Sequence, residues 1–80
     1  MKAWHPTMNE QEQILYMQTR LTRRAAERWH NSLAEAVGIF KRYGVLEYIE
    51  SCYELFHVQG DEANFEEIEN YLSTKGVAIC

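Results

Sequence analysis

Ser32-Leu33-Ala34-Glu35-Ala36-Val37-Gly38-Ile39-Phe40-Lys41-Arg42-Tyr43-Gly44 holds a helix start, an apolar face and a helix stop in one short stretch. Ser32 followed three residues later by Glu35 has the form of a capping box, in which a hydroxyl and a carboxylate satisfy the first unpaired backbone amides of a helix. Leu33, Ala36, Val37 and Phe40 recur at helical spacing on one side. Tyr43-Gly44 then supplies a residue free to take the left-handed conformation that ends helices. The spacing predicts a helix over about 33–43.

The same grammar extends to both sides. Toward the N-terminus, Thr7-Met8-Asn9-Glu10 follows Pro6 and has capping-box form, and Ile14, Met17, Leu21 and Ala25 lie at helical spacing beyond it. Leu15 and Tyr16 broaden that stripe toward Trp29, and His30-Asn31 interrupts it, which predicts a helix over about 8–29. Toward the C-terminus, Leu46, Ile49, Cys52, Tyr53 and Phe56 are flanked by Tyr48 and Leu55, leaving Glu47, Glu50, Ser51 and Glu54 as a narrow polar strip. A helix over about 46–56 is expected there, and it should be the most deeply buried. His57-Val58-Gln59-Gly60-Asp61 breaks the pattern, with Gly60 expected at positive φ and His57 bonding terminal carbonyls. Phe65, Ile68 and Leu72 then mark a helix over about 62–74, with acids near its N-terminal half as the helix dipole favours. Val77-Ala78-Ile79-Cys80 is a short apolar tail able to dock on the core or on a neighbour. The reading is all-α: a compact bundle of about four short helices forming one domain over residues 1–80.

Composition sets the frame. The 80 residues are 46% hydrophobic and 25% charged, an ordinary globular balance with room for one small core. So small a core makes association with itself or a partner a natural source of stability. No apolar run reaches the length of a membrane span and the N-terminus has no signal-peptide pattern, which points to a cytoplasmic protein with no membrane contact. Two cysteines, Cys52 and Cys80, form neither a zinc spacing nor a disulfide framework, and read as a core residue and a free terminal thiol. Residues 1–30 balance to +2 and residues 31–80 to −6, summing to −4. A chain so polarised could pair head to tail with itself or offer an acidic face to a basic partner.

Phe40-Lys41-Arg42-Tyr43-Gly44-Val45-Leu46-Glu47-Tyr48-Ile49, then Tyr53-Glu54-Leu55-Phe56-His57-Val58-Gln59-Gly60, then the acidic Glu67-Ile68-Glu69 helix resemble a family of small bacterial domains of unknown function. Its pattern is roughly F-x-x-Y-G-V-x-x-Y-I, Y-x-x-L-H-x-x-G and an acidic helix containing D-I. The resemblance spans about residues 32–76, with Phe56 where the family has Leu and Glu67 where it has Asp. Members are often encoded near toxin-like proteins, so the resemblance implies an antitoxin-like or other protein-binding role and carries over no catalytic residue.

Three constellations bear on function. Glu27-x-x-His30 and Glu54-x-x-His57 each place a carboxylate and an imidazole one turn apart. Two such motifs with a Glu from each of two further helices, here Glu35 and Glu66, would make a metal site of the bundle type. Their position at helix ends, where caps and dipoles already account for them, counts against it. Arg20, Arg23, Arg24 and Arg28 form a basic patch on the first helix, which raises nucleic acid as a partner, but Glu47, Glu50 and Glu54 on the third helix would repel phosphates. Ten aromatics among 80 residues imply that several Trp and Tyr lie at the surface, as at protein interfaces. No nucleophile, phosphate loop or acid pair marks an enzyme, and no cofactor is expected. The expectation is a non-catalytic interaction module, antitoxin-like or adaptor, engaging a protein partner or a second copy through Trp29, Tyr48 and Tyr53. A nucleic-acid binder and a metal-binding bundle are the alternatives.

Overall fold

The structure, a computed structural model, describes residues 9–76 as a bundle of α-helices joined by short turns: α1 (Glu10–Arg28), α2 (Leu33–Arg42), α3 (Val45–Ser51), α4 (Tyr53–Val58) and α5 (Asp61–Thr74). No strand occurs among the described residues. The fold is all-α, as its periodicities require. Thr7 and Met8 and the Val77–Cys80 tail, with Cys80, lie outside the described residues.

The capping grammar holds with one shift. Glu35 N–H donates to Ser32 Oγ at 3.1 Å while the Glu35 carboxylate accepts from Ser32 N–H at 2.8 Å, closing the box that opens α2. On α1 the box is Asn9 with Glu12, at 2.8 and 3.1 Å, and Asn9 is the N-cap. α1 stops in a Schellman motif: Asn31 N–H donates to Ala26 O at 2.9 Å and His30 N–H to Glu27 O at 3.3 Å. His30 therefore sits in the left-handed region at φ 56, where glycine is commonest.

Gly44 takes φ 72 between α2 and α3, the left-handed turn its position predicts. The expected single helix over 46–56 is instead two, because Cys52 leaves the helical basin (φ −105, ψ 19) and separates α3 from α4. Ile49, Tyr53 and Phe56 keep helical spacing across that residue, so apolar periodicity reads straight through the break. The expectation that this stretch is the most deeply buried does not hold: Ile49 and Phe56 are fully buried, but Leu55 is half exposed, and α5 buries Asn64, Phe65, Ile68 and Leu72 completely.

The junction before α5 also departs from expectation. Gly60 is extended (φ −77, ψ 168) and needs no glycine conformation. The turn is held by Asn64, fully buried, whose Nδ2 donates to Phe56 O at 3.0 Å and whose Oδ1 accepts from Gln59 Nε2 at 2.8 Å. Among the described residues His57 bonds no helix-end carbonyl; its Nδ1 lies 3.4 Å from the Tyr53 hydroxyl.

The core runs from Leu21 and Ala25 of α1 through Phe40, Val45 and Ile49 to Phe65, Ile68 and Leu72, all fully buried. Each such large side chain contributes roughly 1.5–3 kcal/mol relative to exposure, before the entropy of ordering the chain is subtracted. α1 is the axis of this packing and meets α2, α3 and α5. No helix among the described residues is long and apolar enough to cross a membrane.

Candidate functional site

The aromatics chosen from the sequence as surface anchors turn inward. Trp29 is buried, its ring 5.5 Å from Phe65 and 6.1 Å from Phe40, with the indole N–H donated to Glu69. Tyr53 is buried and donates its hydroxyl to Gln13 Oε1 at 2.5 Å. Tyr48 is half-buried, stacked at 4.2 Å on Tyr71 and edge-on to Phe56, and this burial pushes its phenol pKa up. The expectation of exposed anchors is corrected for Trp29 and Tyr53, whose rings fill the core and whose polar tips find partners within the fold, while Tyr48 keeps part of its surface.

The arginines are likewise divided. Arg20 forms a two-pronged pair with Asp61 at 3.0 Å, and the hydrogen bonds of that pair hold its guanidinium above the ordinary value. Arg24 and Arg28 bracket the Glu62 carboxylate at 3.0 and 3.3 Å and lower its pKa through those hydrogen bonds. Three of the four therefore fasten α1 to the acidic first turn of α5. Arg23, exposed, makes no ion pair among the described residues.

Glu27, His30, Glu54 and His57 are not brought together. Among the described residues, no three acidic, His or Cys side chains, Glu35 and Glu66 included, form a group able to hold a metal ion. The physical reason is local: His30 occupies the cap of α1, His57 turns toward Tyr53, and Glu35 closes its capping box.

A different site emerges on the other side of α1. Leu15, Thr19 and Arg23 of α1, Leu33 and Val37 of α2, and Leu46 of α3 line an open groove of about 240 Å³ floored by Phe40. Leu15 is 62% exposed and Leu33 50%, although both belong to apolar stripes that the sequence assigns to the core. The polar residues of the groove are turned away from it. Thr19 and Thr22 donate their hydroxyls back to Leu15 O and Gln18 O at 2.9 and 2.6 Å, and Gln18 Nε2 donates to Leu46 O at 2.8 Å. What they leave toward the groove is methyl and methylene surface. The arrangement offers apolar shape and almost no directional hydrogen bonding, with Arg23 as a charge at its rim.

Sequence reasoning missed this groove because it treats every apolar residue of an amphipathic helix as core. The signal was present as excess: Ile14-Leu15-Tyr16-Met17 is apolar for more than one helix face, and only Met17 of the four is buried.

No curated protein and no solved structure matches the chain. The family described as "Protein of unknown function (DUF3791)" matches residues 16–75, from the first half of α1 to the end of α5. That span takes in every helix of the core and three quarters of the 80 residues, and the chain belongs to this family.

Proposed function

We propose that the protein is a non-catalytic protein-interaction module, antitoxin-like or adaptor in kind, and that its docking surface is the groove between α1 and α2, which takes the apolar face of a partner helix. The observation that carries this reading is the pairing of exposed Leu15 and Leu33 with polar neighbours whose donors are bonded back into the fold. Such a surface gains by covering apolar area and loses no hydrogen bonds when water leaves. At about 240 Å³ it falls below the roughly 300–1,000 Å³ of small-molecule sites and suits the two or three side chains that a helix presents one turn apart. Covering the two half-exposed leucines contributes about 1 kcal/mol each, which fits a regulated rather than a permanent contact.

The nucleic-acid alternative has less support, because Arg20, Arg24 and Arg28 already serve α5 carboxylates. Photo-crosslinking in the native cell tests the proposal. A benzophenone amino acid at Leu33 is expected to capture a protein, and the same probe at Glu66 on α5 is not. Equal yields at the two positions, or none at Leu33, would overturn it.

A further inference from the structure

Positive charge lies along the α1–α2 part of the groove, whereas Glu12 and Glu50 flank its Leu15 and Gln18 end. Arg23 lines the groove and has no ion pair among the described residues. Lys41 follows Val37 by four residues on the same side of α2 and is also exposed without an ion pair among them. Elsewhere on the molecule, α4 presents the opposite pattern in convex form. Leu55 is 50% and Val58 78% exposed, one helical turn apart, and Glu54 is exposed beside them. Tyr53 and Phe56 of the same helix face the core, which leaves Glu54, half of Leu55 and most of Val58 toward solvent.

We infer that the groove between α1 and α2 receives the Glu54-Leu55-Val58 strip of α4 from a second copy of this chain. The inference rests on the docking role proposed for the groove and names its occupant. Two apolar side chains at i and i+3 are the anchors with which a helix enters such a groove. Glu54 would arrive beside Arg23 of the groove and Lys41 one turn beyond Val37, neither of which has an ion pair among the described residues, so opposite charges meet at that end. Joining two grooves face to face would do neither: it sets concave against concave and brings like charges together. Because groove and strip are different patches, the contact is head to tail, and the pair keeps one groove and one strip free.

Sedimentation velocity with two single variants of the full chain tests this. Leu33→Asp blocks the groove and Val58→Asp blocks the strip. Both replace exposed side chains, so circular dichroism should show native helicity in each. The wild-type chain is expected to associate as concentration rises, each variant to remain monomeric, and an equimolar mixture to form a 1:1 complex, since one variant retains the strip and the other the groove. A monomeric wild type, a variant that associates like the wild type, or a mixture no larger than its components would overturn the inference. A monomeric chain whose Leu33 probe still crosslinks to a different protein in cells would overturn this occupant alone, whereas a silent Leu33 probe would remove the docking role itself.

Discussion

Trp29 Nε1 donates a 3.0 Å hydrogen bond to the Glu69 carboxylate, joining the end of α1 to the middle of α5 across forty residues of chain. The indole lies between Phe40 and Phe65, so one side chain closes the core and supplies its polar edge with a partner. This is the residue whose chemistry most suggests an exposed anchor, and the fold uses it internally.

Trp29→Ala is expected to lower the unfolding free energy by about 3–5 kcal/mol, the range for removing a large aromatic from a core. Trp29→Phe keeps most of the ring and loses the N–H donation, and should cost about 1–2 kcal/mol. Guanidinium denaturation followed by circular dichroism measures both. Equal losses for the two variants would show that the hydrogen bond, and not the packing, dominates.

Asn64 holds the α4–α5 junction from a fully buried position. Asn64→Ala strips the Phe56 carbonyl of its side-chain donor and should cost about 1–3 kcal/mol. Asn64→Asp should cost more, because it sets a carboxylate oxygen against that carbonyl in a buried site. Urea melts of the two variants give the order.

Two left-handed residues respond in opposite directions. Gly44→Ala forces a Cβ into φ 72 and should destabilise by about 1–2 kcal/mol. His30→Gly relieves a side chain held at φ 56 and should stabilise by about 0.5–1 kcal/mol. A rise in melting temperature for the second and a fall for the first are the expected readings.

The clamp on Glu62 makes stability depend on acid. Arg24 and Arg28 hold its carboxyl below the ordinary 4.5, so the folded state binds its proton less readily than the unfolded chain. The resulting stability is fully present above 4.5 and is lost as pH falls through the lowered folded value. Glu62→Gln should flatten that part of the pH–stability profile and leave neutral-pH cooperativity intact. Added salt should weaken the effect in the wild type, since the carboxylate is exposed.

Much of the architecture follows from local rules that act over one or two turns of chain. Ser32 and Glu35 close their capping box, Gly44 takes its left-handed turn, and Leu21, Phe40, Ile49, Phe65 and Leu72 are buried where their spacing places them. The break at Cys52 was not legible, because a one-residue departure from helical geometry leaves the spacing of Ile49, Tyr53 and Phe56 intact. The ion pairs were legible only as charge: four arginines on α1 and acids opening α5 are visible in the sequence, but Arg20 meeting Asp61 across forty-one residues is a product of the α1–α5 packing.

Helicity and the positions of most helix ends are set locally, by capping, backbone freedom and apolar period, all of them short-range. Which apolar residues find partners is set by how the helices pack. Helix period marks Met17 and Leu15, or Phe40 and Leu33, as equally apolar, yet the first of each pair is covered by neighbouring helices and the second is left at the groove. Burial requires a second surface at the right distance, and that surface comes from another part of the chain. For the same reason Trp29 and Tyr53 are absorbed by the core, Tyr48 lies half-buried at its edge, and Leu15 and Leu33 are left exposed.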